Sequence, residues 1–179
     1  MARIPYVDPD KAHWLTKEIL ARRNNRNIHR MLGHSGPVGD AFVRMAVTLR
    51  YESSVDPILR EIAILRVGIM SGATYEVTAH KRLAKTFGMS DAQIERLEAG
   101  DATSEVFNEV QRNVIAFTDD VVKNVRASDA TFKPLAAVLD EKSMVELLIT
   151  IGYYMSVVRF LETLDVDVDA PAAPAKPAA

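Results

Sequence analysis

The sequence predicts an all-α domain, and three observations carry that reading. Apolar residues recur at helical spacing through almost the whole chain. Period-two alternation of β-branched residues, the mark of a half-buried strand, is hard to find. Punctuation falls where helix ends belong: Asp56-Pro57, Ser90 and Ser128 open apolar runs, while Gly88 and Gly100 close them. At 179 residues, one domain with one substantial core is expected.

Taken in order, Pro9 and Asp10 start a first helix over 10–23. An Asn/Arg-rich loop and the run Gly33-His34-Ser35-Gly36-Pro37 follow. A second helix over 38–51 places Phe42, Met45, Ala46 and Leu49 on one face. Asp56 and Pro57 cap a third over 58–70, with Ile58, Ile62, Leu65 and Ile69 inward. Ser71-Gly72-Ala73 breaks it, and a fourth runs over 74–87 to Gly88. A short helix lies between Ser90 and Gly100, and a sixth over 104–124 carries Phe107, Val110, Val114, Phe117 and Val121. Ser128 begins another short one containing Phe132 and Leu135.

The last helix, over 141–164, is apolar almost all round, from Met144, Val145, Leu147 and Leu148 to Val158 and Leu161. Such a helix needs burial on every side, in the domain centre or against another subunit, so a homo-oligomer is expected. The final APAAPAKPAA has no residue to anchor in a core, which predicts a domain over 1–165 and a disordered Ala/Pro tail over 166–179.

Composition removes several chemistries. With no cysteine there is no disulfide framework, no Cys-ligated metal and no thiol nucleophile or redox couple. A net charge of −2 argues against nucleic-acid binding. MARIPYVDPD has no signal-peptide apolar region, and the uncharged stretch Leu147–Val158 is short for a membrane span, so a cytoplasmic protein without membrane attachment is expected.

Polar residues out of place in a solvated face cluster around the junction of the third and fourth helices. Glu61 sits among aliphatic neighbours and needs a hydrogen-bond partner, a cation or a raised pKa. Arg66 is a nearby cation, although residues five apart share a helix face poorly, so its contact can equally cross helices. Glu76 and His80, four apart, face the same way. With Thr74 as N-cap, Glu76 falls in the first turn, where the helix dipole favours its anion, and an ionised Glu76 makes His80 a stronger base. That pair is a candidate general acid/base unit, against the plainer reading of a structural ion pair. No metal site is expected: there is no HExxH, and His29 and His34 show no ligand spacing. Arg22, Arg23, Arg26 and Arg30 decorate a surface or bind carboxylates.

The run Leu59-Arg60-Glu61-Ile62-Ala63-Ile64-Leu65-Arg66-Val67, followed by Gly72-Ala73-Thr74-Tyr75-Glu76-Val77-Thr78-Ala79-His80, resembles the carboxymuconolactone decarboxylase / alkylhydroperoxidase D-like family. Arg30-Met31-Leu32-Gly33-His34-Ser35, Gly88-Met89-Ser90-Asp91-Ala92-Gln93-Ile94 and the segments from Asn113 through Glu146 to Tyr153 and Arg159 extend the likeness over nearly the whole chain except the tail. The resemblance implies an all-helical fold assembled into trimers or hexamers, with sites near subunit contacts. Peroxidase-type members carry a Glu, a CxxC pair and a His. The Glu and His fall on Glu61 and His80, and the two Cys positions on Ala73 and Glu76, so thiol peroxidase chemistry is excluded. The likeness is to the Cys-less branch, with a Tyr-Glu pair before the His.

Decarboxylase members act on a carboxylated lactone without metal or organic cofactor. That reaction needs a cation for carboxylates and an acid for the carbanion or enolate. Arg66 fits the first role provided that it faces the pocket, with His34 or Tyr75 bonding a carbonyl oxygen. His80, tuned by Glu76, is the proton donor, and Glu61 orients it or carries a second proton. The expected function is a cofactor-independent lyase acting on a small carboxylated lactone or an acid of aromatic catabolism. The alternative is a non-catalytic ligand-binding or interaction oligomer on the same fold.

Overall fold

The computed structural model describes residues 1–22 and 25–170. Among them are nine α-helices and no strand. They are α1 (Trp14–Arg22), α2 (Asn27–Leu32), α3 (Pro37–Tyr51), α4 (Pro57–Met70), α5 (Thr74–Thr86), α6 (Asp91–Glu98), α7 (Glu109–Asn124), α8 (Asp129–Ala136) and α9 (Glu141–Thr163). A 3-10 turn, Gly33–Ser35, joins α2 to α3.

The caps explain most boundaries. Asp56 accepts from the amides of Ile58 and Leu59 at the start of α4, and Asp140 accepts from Ser143 at the start of α9. Ser90 with Gln93, and Asn108 with Gln111, form capping boxes for α6 and α7. The second box makes α7 begin at Glu109, later than its apolar pattern suggested. Helix α1 begins at Trp14 rather than Asp10, and Arg23, its expected last residue, lies outside the described residues. Helix α2 replaces part of the expected loop. Six residues are too few to be helical on propensity alone, so burial of Met31 and Leu32 decides it. Thr74 is the first residue of α5 rather than its cap; Ala73 holds the cap position without a side-chain bond.

Helix α4, not the last helix, is the one enclosed on all sides. Every residue from Leu59 to Gly68 is buried, with α5, α7 and α9 packed around it. Helix α9 is 23 residues long and apolar enough, by length and composition, to cross a membrane. In this fold it is a core helix along one stripe only: Leu147, Ile151, Tyr154, Val158 and Leu161 are buried. On its other face Val145, Leu148 and Ile149 are 57, 49 and 43% exposed.

The α4–α5 hairpin positions the site. Gly72 turns the chain at φ +66°, a conformation that suits glycine, and the Ala73 amide donates back to Gly68 O at 2.9 Å. Gly68 lets the two helices close up, since a Cβ there would meet Val77 Cγ2 at 3.0 Å. At the other end of the chain, residues 166–170, assigned by composition to the tail, fold back: Val166 is buried and Asp167 and Asp169 accept hydrogen bonds. The remainder of that tail, from Pro171 on, lies outside the described residues.

Candidate active site

The hairpin lays His80 of α5 against Glu61 of α4, and one helical turn separates His80 from Glu76. The imidazole is thereby clamped between two carboxylates. Nδ1 lies 2.7 Å from Glu61 Oε2 in a hydrogen bond. Nε2 lies 2.9 Å from Glu76 Oε1, an ion-pair distance without hydrogen-bond alignment, since that oxygen accepts no hydrogen bond. All three side chains are buried, Glu61 completely, at 0% exposure. The ring of Tyr154 meets the His80 ring edge-on at 5.1 Å.

Burial by itself would lower the His80 pKa. The charge of Glu76, the hydrogen bond to Glu61, the close polar contact with Glu76 and the charge of Glu61 outweigh it and push the value up to about 9. At neutral pH His80 is therefore an imidazolium held by two carboxylates. Glu61 Oε1 and Glu76 Oε1 accept no hydrogen bond, so this buried cluster retains unused acceptor capacity. Among the described residues no group of three or more side chains is arranged to hold a metal ion.

A cavity of about 640 Å³ opens in front of the cluster. Tyr75, Glu76 and His80 form one wall, and Tyr153, Tyr154 and Val157 of α9 form another. Glu61 lies behind His80 and does not line the cavity. Glu61 is therefore the inner member of the cluster, and His80 and Glu76 both face the cavity. Burial first, then the charge of Glu76, holds the Tyr154 hydroxyl well above its usual pKa, so it stays a proton-bearing donor. Tyr153 is likewise raised by burial, and its hydroxyl donates to Phe42 O at 2.8 Å.

The structure thus gathers four of the expected site residues: Glu61, Tyr75, Glu76 and His80. Tyr75 reaches the wall, but its hydroxyl donates to Asp169 Oδ2 at 2.5 Å. Arg66 is a correction. Its guanidinium forms a two-pronged pair with Asp119, Nε–Oδ1 2.8 Å and Nη2–Oδ2 2.7 Å, and donates to Leu97 O at 2.9 Å. That commits Arg66 to the α6–α7 side of α4, away from the cavity. His34 is the second correction: it sits in the 3-10 turn with Nε2 2.7 Å from Pro5 O, also outside the cavity lining.

Among the described residues the arginines that line the cavity are Arg22, Arg26, Arg50 and Arg82. Arg50 is the one whose positive charge reaches the Tyr153 and Tyr154 hydroxyls. Arg50 and Arg82 gave no sign in the sequence, lying on the solvent side of amphipathic patterns. The adjacent tyrosines in an otherwise aliphatic run were the signal for the α9 wall.

Residues 37–120, which span α3 to most of α7 and contain the whole Glu61–Glu76–His80 cluster, match the model of the carboxymuconolactone decarboxylase family. No curated protein matches the sequence. Among solved structures, an alkylhydroperoxidase AhpD core, an uncharacterized peroxidase-related protein from Ralstonia eutropha, aligns with a TM-score of 0.84 at 14% identity, covering 94% of this chain and 92% of that one. A peroxidase-related protein from Silicibacter sp. aligns at 0.80 and 16% identity, covering 94% and 91%. The debrominase Bmp8, as a cysteine-to-alanine variant in complex with 2,3,4-tribromopyrrole, aligns at 0.78 and 16% identity, covering 95% of each chain. At these identities the likeness establishes the AhpD-like fold, and the match to the carboxymuconolactone decarboxylase family model is confined to residues 37–120.

Proposed function

We propose that the protein is a cofactor-independent enzyme performing acid–base chemistry, decarboxylation or a related proton transfer, on a small carboxylated ring compound such as a lactone or an acid of aromatic catabolism. The observation that carries this reading is the His80 imidazolium, clamped by Glu61 and Glu76 at the wall of a cavity that also holds arginines. The match of residues 37–120 to the carboxymuconolactone decarboxylase family model supports it. The debrominase complexed with a small halogenated ring supports a ring-sized ligand on this fold.

In a decarboxylation the bond from carbon to the departing carboxylate breaks, CO2 leaves, and the electron pair remains as a carbanion or enolate. Arg50 and the Tyr154 hydroxyl face the developing negative charge, the role of preorganised donors in a water-poor site. A proton then passes from His80 to the substrate carbon, directly or through Glu76, leaving a neutral imidazole still bonded to Glu61. Solvent returns the proton after product release. Glu61 touches no substrate in this scheme and acts by orienting the ring.

The test is a screen of the purified protein against lactones and aromatic acids for CO2 release and ultraviolet change, repeated with His80→Ala and Glu76→Gln. Each variant is expected to lose about 10²- to 10⁴-fold in kcat while remaining folded. Full turnover in both on a verified substrate would overturn the site assignment. Binding of such acids with no turnover in any form would favour the non-catalytic ligand-binding reading.

The same proposal includes a homo-oligomer, a trimer or hexamer. The exposed Val145, Leu148 and Ile149 on α9 support it, being apolar groups that a single chain leaves uncovered. Leu148→Glu is expected to lower the assembly mass in sedimentation without unfolding the protomer.

A further inference from the structure

The last described residues run across the cavity, and what holds them there is polar. Val166 is the final core residue, its amide donating to Leu161 O at 3.0 Å. Beyond it Asp167, Val168 and Ala170 are exposed and Asp169 is half-buried. Asp167 accepts from the Tyr6 hydroxyl at 2.9 Å, and its carbonyl accepts from the Asn27 side chain at 2.9 Å. Asp169 accepts from the Tyr75 hydroxyl at 2.5 Å through Oδ2 and from the Asn27 amide at 2.8 Å through Oδ1.

Val168, Asp169 and Ala170 belong to the cavity wall together with Tyr75 and Arg26. The charge of Arg26 is felt at the Tyr75 hydroxyl. A phenol O–H and a peptide N–H thus converge on one carboxylate beside a guanidinium, which is a donor set suited to any carboxylate. Tyr75 also directly precedes Glu76, so this carboxylate stands next to the proton-transfer cluster. The group filling the position comes from the chain itself, on a strap with no apolar anchor past Val166.

We propose that Asp169 occupies a carboxylate-binding position of the cavity in cis, and that a carboxylate ligand competes with it and lifts the strap 166–170. The strap is then a built-in competitor: only the fraction of molecules with Asp169 displaced accepts the ligand at full affinity. The exchange is close to balanced, because one carboxylate replaces another on the same donors. A neutral ligand of the same shape gains nothing from the position and leaves Asp169 in place. This inference rests on the reading that the cavity takes a carboxylate, and is independent of proton transfer at His80.

Benzoate and its neutral counterpart benzamide are suitable probes, titrated calorimetrically into the full-length protein and into Asp169→Asn. The variant keeps the side-chain shape and removes the competing charge. Benzoate is expected to bind Asp169→Asn about tenfold tighter than the unaltered protein, with benzamide binding unchanged. Equal or weaker benzoate binding by the variant overturns the strap proposal while leaving the carboxylate cavity standing. No benzoate binding by either form at millimolar concentration overturns both.

A second measurement leaves Asp169 unaltered. Because the chain has no cysteine, Ala170→Cys carries a single nitroxide label. Benzoate, and not benzamide, is expected to convert its spectrum from restricted to mobile. An unchanged spectrum at saturating benzoate overturns the proposal.

Discussion

Helix α4 carries an ionic cluster on each of two faces, and the two are built differently. On the α6–α7 side, Arg66 meets Asp119 through two parallel hydrogen bonds and gives a third to Leu97 O. On the α5 side, Glu61 holds His80 by one oxygen, and its other oxygen accepts nothing. The first cluster is a satisfied pair, with the guanidinium fork matched to both carboxylate oxygens. The second centres on an imidazole with a raised pKa that, with Glu76, lines a cavity. Buried charge on one helix thus serves two ends: a fixed tie between helices, and a poised proton.

The largest effect that sharpens this contrast is Arg66→Ala. It strands the Asp119 carboxylate and should cost about 3–5 kcal/mol of stability, read from urea denaturation. The folded fraction should keep its ligand binding and turnover, because Arg66 does not reach the cavity. A large loss of turnover per folded molecule would break the comparison and return Arg66 to the site.

The next effect depends on pH. The folded-state pKa of His80 is raised, so the folded protein binds more protons than the unfolded chain between the two values. The stabilisation is fully present below the unfolded value of about 6.5 and is lost as pH rises through about 9. The total is up to about 3 kcal/mol. Denaturation midpoints should fall across this window in the unaltered protein and in Arg66→Ala alike. His80→Gln should abolish the fall. A flat profile in the unaltered protein would mean that His80 is neutral in its clamp.

The legibility of the two clusters in the sequence follows their geometry. Glu76 and His80 lie one turn apart on one helix, so spacing alone brought them together. Glu61 was placed only near the same helix junction, by its apolar setting, and its contact with His80 comes from the packing of α4 against α5. Arg66 was misread because its partner lies 53 residues away, on a helix whose packing no local pattern reports. Arg50 and Arg82 reach the cavity only through the packing of α3 and α5 around it. The fold was legible from periodicity and caps, except where packing outweighed composition. Polar α2 is helical because Met31 and Leu32 are buried, and the strap at 166–170 is tied down by aspartates that composition assigns to a tail.

The smallest stability effect is expected from Glu76→Gln, and it separates the outer carboxylate from the inner one. Glu76 faces the cavity, and Glu61 still pairs the imidazolium when Glu76 is replaced by an amide, so the stability cost at pH 6 should be below that of Arg66→Ala. Its charge is nonetheless the largest contribution raising the His80 pKa. The pH-dependent loss of stability should therefore be smaller and complete at lower pH in Glu76→Gln, and the His80 imidazole should titrate at lower pH by NMR. Glu61→Gln keeps the same shape but weakens a fully buried hydrogen bond, so it should lower that pKa and also destabilise the protein more than Glu76→Gln does. Equal destabilisation by the two changes would make Glu76 as structural as Glu61, and the cluster facing the cavity would then be a second fixed tie rather than a source of protons.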